Sequence, residues 1–96
     1  MSILRNDLFG IPIIVVDGEV DMEHYRELLQ SLDRVVSEGH IKIALDLSGV
    51  TSLDVTGVEL LNSISDYLAR HGGSLRLVGT SESVRRVLGH GPLLAA

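Results

Sequence analysis

The sequence contains no cysteine. That absence excludes disulfides, thiolate metal sites and cysteine nucleophiles, so any reactivity rests on oxygen or imidazole chemistry. Aromatic residues are scarce, one phenylalanine and two tyrosines, too few for a platform on which bases could stack. Basic residues are also few: 8 lysines and arginines stand against 13 aspartates and glutamates, a formal charge of −5. A nucleic-acid partner is disfavoured, because such affinity comes largely from cationic side chains displacing counterions from phosphates. No apolar run approaches the roughly 20 residues that span a bilayer. Met1 to Asp7 lack a basic stretch leading into a long apolar segment. The expectation is a cytoplasmic protein with no membrane insertion. No repeat, linker or low-complexity tract interrupts the chain.

What is present suits one folded unit. The 96 residues are 45% hydrophobic and 22% charged, enough to build one core and too few for two, so a single domain over residues 1–96 is expected. Ile11-Pro12-Ile13-Ile14-Val15-Val16 is a β-branched run too short for a stable helix and ends at the turn signal Asp17-Gly18, which predicts a buried strand. Ile3 and Leu4, before Asn6-Asp7, predict an edge strand hairpinned to it. From Met22 to Ser37, apolar residues at Met22, Tyr25, Leu28, Leu29, Leu32, Val35 and Val36 follow the spacing of one helical face. Asp21 stands at the N-cap position of that helix and Gly39 at its end.

Ile41 to Leu47 predicts a second long strand, followed by a loop from Ser48 to Gly57. Val58 to Leu68 predicts a second amphipathic helix closed by Gly72-Gly73. Leu75-Arg76-Leu77-Val78 predicts a further strand, and Thr80 or Ser81 caps a short helix carrying Val84, Val87 and Leu88. Strands alternating with helices over short connections require right-handed crossovers and hence parallel strands. The fold class is therefore α/β: a small, mostly parallel sheet of about four strands with helices packed on it. Functional groups in such folds gather where strand ends turn into helices, here between Asp17 and Asp21 and between Ser48 and Gly57.

The second of these segments is crowded with hydroxyls and carboxylates. Thr56 falls at or just inside a helix N-terminus, where backbone N–H groups lack intrahelical partners and the peptide dipoles favour an anion. A phosphate there would sit beside Asp54 and change the charge that surface presents.

Asp46-Leu47-Ser48, followed by Asp54-Val55-Thr56-Gly57, resembles the signature of the STAS domain. In that family a strand ends in Asp-Leu-Ser, and a hydroxyl residue precedes glycine at the start of the next helix. Gly18-Glu19-Val20-Asp21 is similar to the family's Gly-x-Leu-Asp turn into its first helix, and the segment order fits over about residues 10–89. The resemblance is to bacterial anti-sigma-factor antagonists and implies a protein-binding switch, not an enzyme, with no cofactor and no metal. It makes Thr56 the phosphoacceptor and places Asp21, Ser52, Asp54, Val55 and Gly57 on the partner-binding face. The implied partner is an anti-sigma factor with serine/threonine kinase activity, with a phosphatase to reset the switch. The antagonists usually carry serine where Thr56 stands and often a small hydroxyl residue where Val55 stands. Gly91 to Ala96 leave little for the final strand and helix that many relatives have. The alternative implied by the same family is a scaffold or accessory STAS subunit, of a stress-signalling assembly or of a lipid-transport ATPase complex.

Structural roles compete at each of these positions. Thr56-Gly57-Val58-Glu59 fits a capping box in which the Thr56 hydroxyl caps the second helix. Asp54 fits the same cap. The histidines, His24, His40, His71 and His90, are scattered without metal-ligand spacing, and His24 is placed for a local cap interaction with the Asp21 loop. Gly72-Gly73 lacks the pattern of a phosphate loop and reads as a helix terminator.

Overall fold

In the computed structural model the described residues are 1–89. They form strands β1 (Ser2–Leu8) and β2 (Ile11–Val20), helix α1 (Tyr25–Ser37), strand β3 (Lys42–Leu53), helix α2 (Val55–Arg70), strand β4 (Ser74–Thr80) and helix α3 (Glu82–Leu88). The four strands make one sheet in the order β1-β2-β3-β4. β1 runs antiparallel to β2, while β2, β3 and β4 are parallel neighbours, so the expected mostly parallel α/β sheet is the observed one.

The core lies on one face of the sheet. Strand residues alternate, so Ile14, Val16, Ile43, Leu45, Leu47 and Leu75 present one buried row after another. The helices lay Leu28, Leu32 and Val35 of α1, Leu60, Leu61 and Leu68 of α2, and Val84 and Leu88 of α3 into the same cluster. Each fully buried leucine or isoleucine contributes about 1.5–3 kcal/mol. Arg5 fastens β1 to the end of α1, its guanidinium reaching the Glu38 carboxylate at 2.7 and 2.8 Å while also holding Asp7.

Several boundaries differ from the sequence expectation, each for a visible reason. The β1–β2 turn is Phe9-Gly10, not Asn6-Asp7. Both turn residues have positive φ, 51° and 78°, the geometry of a tight hairpin that matches strand twist. β2 does not end at Asp17-Gly18, because Gly18 takes φ 98° at an irregularity in the ladder and pairing with β3 resumes to Val20. β3 likewise runs through Ser48-Gly49, where a loop was expected, to Leu53. The Asp46 carboxylate holds Ser48 by its backbone N–H (3.0 Å) and its hydroxyl (2.6 Å). Gly49 meanwhile leaves room for the Asp17 carboxylate that a Cβ would strike. α1 begins at Tyr25, not at Met22, because residues 21–24 form a separate turn closed by a His24 N–H bond to the Asp21 carbonyl (3.1 Å). Of the two candidate caps for α3 it is Ser81 that serves, accepting from the Val84 N–H and donating to the Val50 carbonyl. The expected shortfall of a final strand and helix concerns residues 91–96, which lie outside the described residues.

Candidate functional site

The carboxyl ends of β2 and β3 lie side by side, with Val20 in register with Leu53. The Asp54 N–H donates to the Val20 carbonyl at 3.1 Å, so the two strand-to-helix junctions are stitched together. Each strand is followed by an aspartate. Asp21 Oδ1 accepts the His24 N–H at 3.0 Å, and Asp54 Oδ1 accepts the Gly57 N–H at 3.0 Å.

The two bonds have the same span but different consequences. Asp54 is the N-cap of α2, a role worth about 1 kcal/mol, and it displaces the capping box expected for Thr56. Thr56 is the second helical residue, with its hydroxyl released from capping. Asp21 stabilises the turn before α1 without capping the helix itself, and the His24 ring lies 2.8 Å from the same oxygen. Partial burial pushes the Asp21 carboxyl up, but the His24 N–H and ring outweigh it, and the net result is a carboxyl below its ordinary value.

Thr56 is half-buried. It lines a groove of about 290 Å³ between the helices, with Tyr25 and Leu29 of α1 and Glu59 and Ser63 of α2. The backbone N–H groups of Val55 and Thr56, at the first two helical positions, have no intrahelical acceptor and carry the positive end of the helix dipole. Gly57 sets how close this helix start comes to the sheet. A Cβ on Gly57 would stand 2.5 Å from Leu53 Cδ1 and 3.1 Å from Val20 Cγ1, so the glycine after the hydroxyl residue permits that approach.

Asp21, Asp54, Val55, Thr56 and Gly57 are thus brought together at the junction. Ser52 is exposed near the end of β3, in register with Glu19, and so on a strand and not on the expected loop. The Asp-Leu-Ser motif stands apart from this cluster: Asp46 pairs with Gly79 across β4 at a shift in the ladder, where a Cβ on Gly79 would meet the Asp46 carboxylate at 2.6 Å. Its role is to shape the strand.

One residue missed by sequence reasoning belongs to the surface. Met22, assigned by helical spacing to the buried face of the first helix, is 77% exposed, and Val55 is 70% exposed. Two uncovered apolar side chains therefore flank the two carboxylates, one from each junction. The signal available was Asp21: a side chain that closes a turn leaves the next residue at the turn's outer corner. Among the described residues no group of three histidine, cysteine or acidic side chains could hold a metal ion, and no helix is long and apolar enough to cross a membrane.

The STAS domain family matches residues 6–95, and the chain belongs to that family. Among solved structures, it is similar to an anti-sigma factor antagonist from Mycobacterium paratuberculosis, at 27% identity and a TM-score of 0.82, covering 92% of this chain and 74% of that one. It is also similar in fold to the anti-sigma factor antagonist SpoIIAA in its unphosphorylated form, with 20% identity and a TM-score of 0.80 over 96% of this chain and 84% of that one. The Bacillus cell fate determinant SpoIIAA in its phosphorylated form matches at 18% identity and a TM-score of 0.79, over 98% and 86% of the two chains. No curated protein matches the sequence.

Proposed function

We propose that this STAS domain is an anti-sigma-factor antagonist: a binding module that sequesters an anti-sigma factor and releases it when Thr56 is phosphorylated. The observation that carries the reading is Thr56 itself. Its hydroxyl is free of capping because Asp54 does that work, it lines an open groove, and the same two junctions carry exposed Met22 and Val55 and half-buried Asp21 and Asp54. No nucleophile, base and orienting group converge at the site as they would in an enzyme, so the partner supplies the chemistry. The partner is a serine/threonine kinase that is also the anti-sigma factor. It binds ATP and takes the Thr56 proton as the hydroxyl oxygen attacks the γ-phosphorus and ADP leaves. A phosphatase restores the threonine by hydrolysis.

Met22 and Val55 provide apolar anchors for the partner, and Asp21 and Asp54 set the charge it must match. Phosphate adds nearly two negative charges and bulk within that interface. Leaving such a charge buried without a matched arginine costs several kcal/mol, whereas about 1.4 kcal/mol suffices for a tenfold loss of affinity.

The test is to incubate the protein with Mg-ATP and the histidine-kinase-like ATPases encoded in the same genome, then locate phosphate by mass spectrometry and measure binding. The expected result is modification at Thr56, abolished in Thr56→Ala, with binding lost in Thr56→Glu. Phosphate on another residue sinks the switch. Binding of STAS partners or a transporter ATPase subunit that ignores both ATP and Thr56→Glu assigns the protein instead to a scaffold role.

A further inference from the structure

The sheet has a second face, and among the described residues no helix covers it. Strand register places Leu4, Asn6 and Leu8 of β1 beside Val15, Ile13 and Ile11 of β2. Ile13 and Val15 continue into Ala44 and Asp46 of β3, and Lys42 and Ala44 continue into Ser74 and Arg76 of β4. Leu4, Leu8, Ile11 and Val78 are 63%, 52%, 40% and 58% exposed, and Phe9 at the hairpin tip is 95% exposed. Leu8, Phe9, Ile13, Ala44 and Val78 line one shallow depression of about 270 Å³. Single exposed apolar residues are ordinary, but a contiguous patch of this kind marks an interaction surface.

We infer that this face is the interface of a two-fold symmetric dimer, occupied by a second copy of the chain packed sheet on sheet. The face is self-complementary. A two-fold axis lying across the strands along the row Asn6, Ile13, Ala44 and Arg76 exchanges the row below with the row above, as an isologous contact requires. Leu8 then meets Leu4 of the second copy, Ile11 meets Val15, and Lys42 meets Asp46.

Two Lys42–Asp46 pairs form in that register, while Arg76, on the axis row and exposed on the edge strand β4, meets Arg76 of the second copy where both guanidinium groups reach solvent. Lys42 has no carboxylate partner among the described residues. Asp46 uses Oδ1 for both bonds from Ser48, which leaves Oδ2 to accept from the lysine. Strands about 4.8 Å apart and same-face rows about 6.7 Å apart give roughly 400 Å² of sheet plane. With side-chain relief this falls near the low end of specific interfaces, about 600 Å² of accessible surface per partner. The dimer is therefore reversible and concentration-dependent. It uses a surface distinct from the Thr56 groove, so it stands whether or not Thr56 is phosphorylated.

Sedimentation velocity of the full chain over a concentration series, at about 0.15 M salt to screen net repulsion, tests this. The expected result is a monomer–dimer equilibrium that Val78→Asp and Lys42→Asp each weaken at least tenfold, while circular dichroism shows both variants folded. Combining Lys42→Asp with Asp46→Lys restores the affinity to within a few-fold of wild type, because the pair is reversed, not removed. A chain monomeric at millimolar concentration overturns the inference. So does a dimer indifferent to Val78→Asp, which needs no change at Asp46 and hence does not disturb the Ser48 bonds. A dimer lost in Lys42→Asp and not recovered in a folded double variant refutes the two-fold register.

Discussion

Replacing Gly57 by alanine sets two effects of opposite sign against each other. Gly57 is the third residue of α2 and its φ is not positive, so the backbone accepts any residue. Helix propensity alone predicts that Gly57→Ala stabilises the protein by about 1 kcal/mol. Packing predicts otherwise. The new methyl would lie 2.5 Å from Leu53 Cδ1, 3.1 Å from Val20 Cγ1 and 3.5 Å from the Val20 carbonyl oxygen. Leu53 and Val20 are both core residues, 5% and 1% exposed, with little room to yield. Inserting a methylene-sized group into a filled core costs about 1–3 kcal/mol. Since two neighbours are struck at once, the upper part of that range applies, and the net expectation is a loss of about 1–2 kcal/mol. Urea unfolding followed by circular dichroism measures it as a lower midpoint at unchanged slope. A midpoint raised by the equivalent of about 1 kcal/mol would mean that α2 can lift off the sheet freely, and the argument that glycine is required for close approach fails.

At Asp54, asparagine caps about as well as aspartate, so Asp54→Asn leaves stability within about 0.5 kcal/mol while Asp54→Ala loses about 1 kcal/mol; equal losses in a urea titration would show that charge, not capping, stabilises the helix. Phe9 occupies the left-handed region, which costs a non-glycine residue about 1–2 kcal/mol unless it is asparagine or aspartate, and it is fully exposed. Phe9→Asn should therefore raise stability by about 0.5–1 kcal/mol, and a lower melting temperature would reveal a packing role for the ring. Bonds from Arg5 hold the Asp7 and Glu38 carboxyls below their ordinary values of 3.8 and 4.5, and the Ser48 hydroxyl and N–H do the same for Asp46. Groups whose folded values are depressed contribute stability above their ordinary values and lose it as pH falls through the folded ones. Urea midpoints should thus hold to about pH 5 and fall modestly below about pH 4, since solvent screens such exposed pairs, and Glu38→Gln should flatten part of that fall; a midpoint independent of pH down to about 2 contradicts these ion pairs.

Much of this fold was legible because its signals are local. The spacing of Leu28, Leu32 and Val35 and of Leu61 and Leu68 marks the buried faces of α1 and α2, and all five are buried. The β-branched run from Ile11 to Val16 lies within β2 as read. What escaped depends on side-chain hydrogen bonds and on contacts with a neighbouring strand, neither of which periodicity reports. Ser48-Gly49 looks like a loop until Asp46 secures Ser48 and Asp17 lies over Gly49 from the neighbouring strand. The cap of α2 was ambiguous because both Asp54-x-x-Gly57 and Thr56-x-x-Glu59 fit a helix start. The choice is made by the Asp54 N–H bond to the Val20 carbonyl, which fixes where the chain leaves the sheet. Met22 was misplaced for the same kind of reason: periodicity cannot tell the first turn of a helix from a turn that merely precedes it.

The position of the cap also fixes how a phosphate on Thr56 can act. Had Thr56 been the cap, phosphorylation would rearrange the helix start, and order and binding would change together. With Asp54 on the Gly57 N–H, a dianion at the second helical position meets two opposing effects. For each unit of charge, the free N–H groups and helix dipole favour it by about 0.3–1 kcal/mol, while the Asp54 charge at contact range in water opposes it by about 1 kcal/mol. These nearly cancel. Thr56→Glu, which brings one of the charges, should therefore leave the unfolding free energy within about 1 kcal/mol of wild type while greatly reducing partner affinity. A loss of about 2 kcal/mol or more, with fewer residues in helix by circular dichroism, would mean that negative charge at Thr56 acts by melting the start of α2. If stability holds and binding falls, the switch is a change in what the surface presents, executed on a scaffold that does not move.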